Sequence, residues 1–427
     1  MQLRSSSRVL APEQLRQLLY SMPNEPTSLP LVDPISANID RLKSRLRVLG
    51  TESIAATKSH GRVIAQDIRA FRDSPSTDVS AMDGYAVRFS DISASELPVT
   101  GTATAGSAPL QLAPKSAIRV FTGGPVPPQA ECIVRREDCL ESTSQVKILS
   151  LPQSISLGQN IRRQGENVRA GTTIIQAGAL LSACPFAGAI TFLSATFVEV
   201  FKKVRIGIIN TGDELIEFGQ PIESWQIRDS NGPFLESSLA LHEWVQTERN
   251  SISDQRELTA QAIREKLDHC DVILLTGGVS MGDTDYVPDS IRSAGGQVVF
   301  HRIPIRPGRP LLGAYGPSGQ LILGLPGNPL SVAVTFRRYA MEMIRHVAGF
   351  SGPMSVPLML LETDNASTSD LTWFRLVSLR DDGRLSLVSS QGSGDIASLI
   401  QSDGFVEIPP NCQAAGTRPF YTWESRS

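Results

Sequence analysis

Residues suited to binding an anion are concentrated between positions 276 and 331, in three loops that read TGGVSMGDTDY, IRPGRP and GLPGNPLS. Gly277 and Gly278 allow backbone amides to come close to a ligand and to point at negative charge. Arg306 and Arg309 add permanent cations on a segment that prolines stiffen. These residue types predict a site for a phosphate-bearing substrate.

Asp283 and Asp285 follow the first of these loops, and two interpretations are open. Aspartates in a glycine-rich loop are by default solvated turn residues. Between two phosphate-type loops they are also suited to Mg²⁺, which usually takes one or two protein carboxylates together with substrate phosphates.

The elements that must position these loops look like strands of a parallel sheet. Two loops follow apolar, β-branched runs at 271–275 and 321–325, and a third such run, 204–209, ends in Asn210-Thr-Gly-Asp-Glu. Helical patterns alternate with the runs, which predicts a parallel sheet with its ligand crevice at the strand ends. The Asn210 loop either lines that crevice or is a strand-to-helix turn capped by Asp213.

The loop at 325–331 precedes a helical pattern over 332–347. Asn328 or Ser331 could cap this helix, and the helix N-terminus could also bind an anion through its free N–H groups. Both functions are compatible. In the segment SAMDGYA, by contrast, the spacing alone favours a hairpin turn at Asp83-Gly84 over any functional role.

Bulk properties exclude several classes of protein. A net charge of -3 and a pI near 6.0 argue against a nucleic-acid-binding protein. The five cysteines have no Cys-x-x-Cys spacing, which favours buried free thiols. There is no signal peptide, and polar residues interrupt the most apolar window at 183–201, so we expect a cytoplasmic protein with no membrane span.

The chain divides by composition into several segments. Residues 1–33 look like an N-terminal extension with a possible short helix at 12–20. From Ile35 to Ala70, a helix-like apolar pattern that includes Ile54 and Ala55 is followed by a strand-like alternation at 62–68. The β-rich pattern of 71–159 is followed by mixed structure over 160–203, the α/β region over 204–350, and short strands over 351–427 that predict a small β barrel or sandwich.

Taken in order, the motifs resemble those of the molybdopterin molybdenumtransferase family, which includes bacterial MoeA and the E domain of gephyrin. The matching segments are SPSTDVSAMDGYAVR, RVFTGGPVPPQAECIVRRED, GQNIRRQGENVRAG, NTGDEL, QIRDSN, TGGVSMGDTDY, RPGRP and GLPGNPLS, with weaker matches at Phe374-Arg375, QGSGDIASL and GFVEIPP. The resemblance covers about residue 35 to the end of the chain.

This resemblance implies an elongated homodimer of four-domain subunits. Domain I would comprise 34–70 and 160–203, and domain II would be a β-rich lid formed by 71–159. Domain III would be the molybdopterin-binding α/β fold over 204–350, and domain IV would be a small β barrel over 351–427. It also implies the reaction, in which adenylylated molybdopterin and molybdate give molybdenum cofactor and AMP with Mg²⁺. Other proteins of cofactor biosynthesis are possible partners.

The resemblance also implies roles for individual residues. Domain III would bind the pterin phosphate, the nucleotide and the metal through Thr211, Glu214, Gly277, Gly278, Ser280, Asp285, Pro326, Gly327 and Asn328. The oxyanion pocket would consist of Arg306, Arg309, Pro310, Ser331, Arg375 and Ser393. Asp83 and Thr122 would come from domain II of the partner subunit, and the catalytic or metal-binding carboxylates would be Asp83, Glu214 and Asp285.

The sequence departs from the family pattern at two places. The family's oxyanion loop usually reads Lys-Pro-Gly-Lys-Pro, whereas this chain has arginine at 306 and 309, and Arg302 replaces another nearby lysine. The family's Gly-Glu-Asp becomes Gly-Glu-Asn167. Arginine is planar and bidentate, so the exchange is not conservative at a tight oxyanion site. The alternative function is therefore a non-catalytic or tungstate-preferring paralogue that binds molybdopterin or scaffolds cofactor delivery.

Overall fold

The computed structural model describes residues 34–94, 96–150, 154–182, 184–193, 196–216, 218–279, 286–362 and 367–423. The helix predicted at 12–20 and the predicted site residues Ser280, Asp283 and Asp285 lie outside the described residues.

The elements are numbered here in chain order. The strands are β1 (Thr51–Ala55), β2 (Ile68–Arg69), β3 (Val79–Ser80), β4 (Gly84–Val87), β5 (Leu97–Ala103), β6 (Ala117–Val120), β7 (Cys132–Arg135), β8 (Cys139–Glu141), β9 (Gln145–Ile148), β10 (Ile161–Arg162), β11 (Thr173–Ile175), β12 (Phe197–Phe201), β13 (Val204–Thr211), β14 (Leu215–Ile216), β15 (Ile227–Arg228), β16 (Val245–Ile252), β17 (Val272–Thr276), β18 (Gln297–His301), β19 (Ile305–Arg306), β20 (Leu312–Tyr315), β21 (Leu321–Leu325), β22 (Leu358–Glu362), β23 (Thr372–Leu379), β24 (Leu385–Leu387), β25 (Gly404–Ile408) and β26 (Gly416–Thr422). The α-helices are α1 (Pro34–Lys43), α2 (Cys184–Leu193), α3 (Asn231–Ala240), α4 (Arg256–Leu267), α5 (Val287–Ser293), α6 (Pro329–Thr335), α7 (Met341–Val347) and α8 (Ile396–Ile400).

A six-stranded sheet in the order β16-β13-β17-β21-β20-β18 forms the centre of the α/β region. The first four strands are parallel, while β20 and β18 are antiparallel to their neighbours. Every residue of β17 and β21 is buried. Burial on both faces explains why these strands are continuously apolar in the sequence, since helices cover both sides of such a sheet.

Alternate residues of these strands face two separate cores. Val272 and Leu274 belong to a cluster shared with α1, α3, α6 and α7, whereas Ile273 and Leu275 belong to a cluster shared with α4 and α5. The helical pattern predicted over 332–347 forms α6 and α7, joined by one π-helical turn at Phe336–Ala340. Both helices pack against β21 within the first of these cores.

The β-rich region forms a mixed sheet in the order β7-β4-β6-β5-β9-β8. The hairpin predicted at Asp83-Gly84 is wrong, because β3 pairs with β10 while β4 pairs with β6 and β7. Gly84 is required for a different reason. A Cβ at this position would lie 2.1 Å from the carbonyl oxygen of Val134 on β7, so only glycine allows the two strands to come so close.

Three short antiparallel pairs connect this region to the centre: β1 with β12, β2 with β11 and β3 with β10. The helical interpretation of Ile54 and Ala55 is wrong, because both residues lie in β1 and pair with Val198 and Phe197. Their strand partner is far away in the sequence, so the local apolar spacing did not reveal it.

The C-terminal region contains a closed barrel in the order β23-β24-β22-β26-β25, with β25 returning to pair with β23. Strand β19, which carries Arg306, pairs in parallel with the beginning of β23. The predicted fold class is confirmed: an α/β centre with a mostly parallel sheet, β-rich and mixed regions, and a small C-terminal barrel. Within the described part of the chain, no helix combines the length and apolar character needed to cross a membrane.

Candidate anion-binding cavity

A cavity of about 930 Å³ lies where the central sheet, α6 and the barrel meet. It collects most of the predicted site residues from segments that are far apart in sequence. The predicted residues in its wall are Thr211, Glu214, Gly277, Gly278, Arg306, Arg309, Pro310, Pro326, Gly327, Asn328, Ser331, Arg375 and Ser393. The volume is in the range of small-molecule sites in proteins.

The glycine loop after β17 is shaped by its contact with the end of β13. Gly277 has φ +91° and Gly278 has φ +63°, a region that glycine adopts without penalty. A Cβ on Gly277 would lie 2.4 Å from the backbone oxygen of Thr211. The two strand ends therefore touch through bare backbone, which leaves the amides of the loop at the cavity wall.

The loop after β21 connects the central sheet to the barrel. Asn328 occupies the N-cap position of α6, but its side chain does not bond the first helical turn. Instead its amide donates to Ser393 Oγ at 2.7 Å, and the backbone N–H of Leu330 donates to the Ser393 carbonyl at 3.1 Å. Ser393 belongs to the barrel, so this pair of hydrogen bonds fixes one wall of the cavity against the other.

Three arginines, Arg306, Arg309 and Arg375, give the cavity its positive charge. Among the residues that the structure describes, no carboxylate forms an ion pair with any of them. Burial, together with the nearby Arg306, lowers the pKa of Arg375 from its usual value. Guanidinium groups that no described carboxylate pairs with favour an anion that accepts several hydrogen bonds.

Two carboxylates, Glu214 and Asp254, also line the cavity. Asp254 accepts a hydrogen bond from the hydroxyl of Tyr286 at 2.7 Å, and its backbone N–H donates to Asp213 Oδ1 at 3.1 Å. Burial and this carboxylate raise the pKa of Tyr286. Carboxylate oxygens facing an anion pocket fit Mg²⁺, which prefers hard oxygen ligands shared with phosphate.

The Asn210 loop is not a strand-to-helix turn, since it leads into β14 and Asp213 bonds the backbone of Asp254. Sequence reasoning missed Asp254. The available signal was its position directly after β16, the strand beside β13, because parallel strand ends lie at the same edge of a sheet. Sequence reasoning also missed Trp373, whose ring lies beside two of the cavity arginines.

Asp83 and Thr122 are not part of this cavity wall. They lie together in the β-rich region, where Asp83 Oδ1 accepts hydrogen bonds from the backbone N–H and the hydroxyl of Thr122, both at 2.8 Å. These bonds lower the pKa of Asp83, and Arg136 contributes in the same direction. The structure thus brings the two predicted lid residues to each other and not to the other site residues of the same chain.

The departures at Arg302 and Asn167 also lie outside the cavity wall. Arg302 adopts φ +68° at the turn between β18 and β19. Asn167 accepts a hydrogen bond from Arg162 at 2.8 Å, and its backbone N–H donates to Ser74 at 2.9 Å. Both residues therefore have local structural contacts.

A second group of metal-capable side chains, Glu248, His269 and Cys270, lies where the middle of β16 meets the segment just before β17. Lys266 donates to Glu248 Oε1 at 2.6 Å, as close as His269 Nε2 lies to the same oxygen. Burial is the main cause that raises the pKa of Cys270, to about 12. An ammonium already neutralises the carboxylate, and the thiol stays protonated, so this group is better described as an ion-pair cluster than as a metal site.

Comparison with sequence models of protein families gives three matches along the chain. The model described as "MoeA N-terminal region (domain I and II)" matches residues 34–192, "Probable molybdopterin binding domain" matches 207–346, and "MoeA C-terminal region (domain IV)" matches 360–418. Together these matches run through nearly all of the described part of the chain, in the order that the motifs predict.

Curated relatives cover the chain over most of its length. The molybdopterin molybdenumtransferase of Synechococcus elongatus is 33% identical over 385 residues, which is 86% of this chain and 93% of that protein. The protein of the same name from Synechocystis is 30% identical over 400 residues, or 91% and 99% of the two chains.

Solved structures of the MoeA protein from Pyrococcus horikoshii have a similar fold. One superposes with a TM-score of 0.79 at 24% identity and covers 92% of this chain and 99% of its own. A second superposes with a TM-score of 0.76 at 25% identity and covers 91% and 99%. The arrangement of the central sheet, the β-rich region and the barrel is therefore shared with experimentally known structures.

Proposed function

Because this chain belongs to the molybdopterin molybdenumtransferase family, and so to the enzymes of molybdenum cofactor biosynthesis, we propose that it inserts molybdate into adenylylated molybdopterin and releases AMP. The single observation that carries this proposal is the cavity. Its glycine loops suit phosphate groups, its three arginines suit a small oxyanion, and its two carboxylates suit a divalent metal. One cavity thus offers a place for every charged part of the proposed reactants.

The arginines would hold molybdate as a dianion. Arg306, Arg309 and Arg375 can each donate to its oxygens, and the hydroxyls of Ser331 and Ser393 add uncharged donors in the same wall. Holding the oxyanion next to the pterin nucleotide would convert an encounter between two solutes into a step within one complex. Without a carboxylate partner among the described residues, the arginines are free to donate to this ligand.

Glu214 and Asp254 are the described residues that would hold Mg²⁺, which neutralises phosphate charge when it is bound. Asp285, which lies outside the described residues, stays a predicted ligand. The hydrogen bond from Tyr286 to Asp254 would keep that carboxylate oriented toward the cavity. Cleavage of a phosphoanhydride requires that the charge on the leaving phosphate is neutralised, and these two side chains lie in the same cavity as the arginines.

We propose a homodimer in which Asp83 and Thr122 of one subunit complete the cavity of the other. In support, the two residues are exposed and lie outside the cavity of their own chain. Large apolar side chains near the mixed region are also exposed, including Phe71 at 80%, Phe192 at 59% and Phe197 at 63%. Such exposure on neighbouring elements is typical of a surface that a partner covers.

The direct test is AMP release from adenylylated molybdopterin with Mg²⁺, in the presence and absence of molybdate. We expect release to depend on molybdate and to be lost in Arg309→Ala. The matched control is Arg292→Ala, an exposed arginine on α5 that pairs with Asp289 outside the cavity. Substrate binding without molybdate-dependent release would refute the proposed reaction.

A mixing experiment tests the shared site. The variants Asp83→Asn and Arg309→Ala should each be inactive alone, and mixed dimers should regain part of the activity because one of their two sites is intact. If subunit exchange is verified and the mixture still regains no activity, Asp83 does not act in the site of the partner subunit.

The second candidate function is a molybdopterin-binding paralogue that does not transfer molybdate, or one that prefers tungstate. The observation that favours it is the pair of arginines at 306 and 309 in the oxyanion wall. If it is correct, the triple variant Arg306→Lys, Arg309→Lys and Asn167→Asp should gain a molybdate-dependent activity that the native chain lacks. Repeating the same assay with tungstate distinguishes a paralogue that prefers tungstate from one that transfers neither oxyanion.

A further inference from the structure

One aromatic side chain, Trp373, lies beside two of the three cavity arginines. The guanidinium carbon of Arg375 is 4.3 Å from the centre of the Trp373 ring system, and that of Arg306 is 5.4 Å away. Both distances are within the range in which a cation is attracted to the face of an aromatic ring. Trp373 itself lines the cavity.

The backbone explains why these three side chains meet. In the parallel pairing of β19 with β23, Arg306 lies directly opposite Trp373. Arg375 is two residues further along β23, and side chains two apart in a strand point to the same face. The three side chains therefore form one row on one face of the sheet, and this row faces the cavity.

Trp373 is itself held by the barrel. It pairs with Ile408 of β25 and packs against the apolar cluster that includes Leu361, Val377 and Phe420. The intervening residue, Phe374, points the other way and meets Tyr339 and Phe405 edge-to-face at 6.1 and 5.5 Å. The ring is thus fixed by packing, and the two arginines lie beside this fixed ring.

An indole ring can hold two cations close together without cancelling their charge, which a carboxylate cannot do. Two guanidinium groups in one wall repel each other, and a carboxylate between them would hold them together but would cancel half of the charge that they offer to a dianion. An aromatic face attracts cations through its quadrupole and carries no net charge. It can hold the two cations in place and leave their full charge for the ligand.

We propose that Trp373 is a positioning residue for the oxyanion pocket, which fixes Arg306 and Arg375 at the spacing that a tetrahedral dianion requires. This inference rests on the proposed function of the cavity. Trp373 acts through the two arginines, so its loss should weaken oxyanion binding and leave the turnover at saturating molybdate nearly unchanged.

The first experiment is a titration of the purified full chain with molybdate, and in parallel with tungstate and sulfate, followed by calorimetry and by tryptophan fluorescence. We expect the native chain to bind molybdate and to change its emission, because the ligand moves charge next to the ring. Trp373→Leu should bind molybdate about tenfold more weakly, the size expected for losing attractions of this kind. Trp373→Phe, which keeps an aromatic face, should recover part of the affinity.

The matched control is Trp225→Phe, since Trp225 is 74% exposed and is not part of the cavity wall. It should bind molybdate as the native chain does and retain the emission change. Thermal unfolding of each variant identifies any loss that comes from misfolding, and Trp373→Phe provides the test if Trp373→Leu does not fold.

The possible results separate this inference from the proposed function. If the native chain binds molybdate and releases AMP, but Trp373→Leu does so with unchanged affinity, the positioning role is refuted and the proposed function stands. Equal losses in turnover at saturating molybdate and in affinity would also refute it. If the native chain binds no oxyanion, both the inference and the proposed function fail.

Discussion

Asp83 Oδ1 lies 2.8 Å from both the backbone nitrogen and the hydroxyl oxygen of Thr122, so that one residue supplies two hydrogen bonds to one carboxylate oxygen. Hydrogen bonds to the charged form of a carboxyl group favour that form. The two bonds therefore hold the pKa of Asp83 below its ordinary value. Asp83 therefore keeps its negative charge to lower pH than an ordinary aspartate does, which suits a metal ligand or a general base.

This pair gives a prediction about pH dependence. Thr122→Val removes the hydroxyl bond and keeps the backbone bond, so the pKa of Asp83 should rise toward its ordinary value. Because activity would need the charged form, the acidic limb of the pH–rate profile for AMP release should shift to higher pH. Thr143→Val, at an exposed threonine of the same β-rich region, should leave the limb in place. An unshifted limb in Thr122→Val would show that Asp83 does not control it.

The glycine at 277 gives a second prediction. Gly277→Ala combines an unfavourable φ of +91° with a Cβ only 2.4 Å from the Thr211 carbonyl. Gly383→Ala is the matched control, because its φ is +80° and nothing lies within 4 Å of the added Cβ. We expect the control to cost about 1 kcal/mol and Gly277→Ala at least about 2 kcal/mol more, with loss of ligand binding. The measurement is the difference in denaturant midpoint, and equal midpoints would contradict the close approach of the two strand ends.

A feature of the fold or of the site could be predicted from sequence when its signal lay within one continuous segment of the chain. The continuously apolar runs of β17 and β21 and the glycines after them predicted the parallel sheet and one cavity wall, because burial on both faces leaves a local pattern. The row formed by Arg306, Trp373 and Arg375 could not be predicted in this way. It depends on the pairing of β19 with β23, two strands that are far apart in sequence.

The glycine in the β-rich region also shows that a local sequence signal does not reveal a partner strand. At Gly84 the sequence indicated a turn, and the structure shows a close approach of β4 to β7. A glycine is equally compatible with a turn and with a close backbone contact, and only the position of the second strand decides between them. The family resemblance named Asp83 as a site residue where the spacing alone favoured a hairpin.

A third prediction concerns the connection between the helix and the barrel. Arg338 donates to Glu407 at 2.8 Å and to Glu342 at 3.0 Å, and Glu407 also accepts from Tyr421 at 2.9 Å. Arg338→Met would leave the largely buried Glu407 without its cation and should destabilise the chain by about 3–5 kcal/mol. Adding Glu407→Gln should recover part of this loss.

The control for this prediction is Arg384→Met, whose partner Glu362 forms an exposed pair on the barrel surface. Exposed pairs contribute little, so the expected cost is below about 1 kcal/mol. Chemical denaturation of the three variants supplies the measurement. Equal costs for the buried and exposed pairs would mean that the helix-to-barrel connection depends on apolar packing alone.

The last prediction is an acid-dependent loss of stability that originates at His242. Burial, together with the nearby Arg337 and Arg345, lowers the pKa of His242 to about 4, and its ring lies 5.1 Å from that of Trp244 at an interplanar angle of 33°. The unfolded chain would take up a proton on this histidine near its ordinary pKa of about 6.5. Between about pH 6.5 and 4 the unfolded state therefore binds more protons than the folded state, and stability falls as the pH falls, by at most about 1.4 kcal/mol per pH unit. His242→Gln should flatten this part of the pH–stability curve, whereas His60→Gln, at an exposed histidine, should not. Melting temperatures measured from pH 7 to 4.5 provide the test, and an equally steep decline in native chain and His242→Gln would assign the acid sensitivity to other groups.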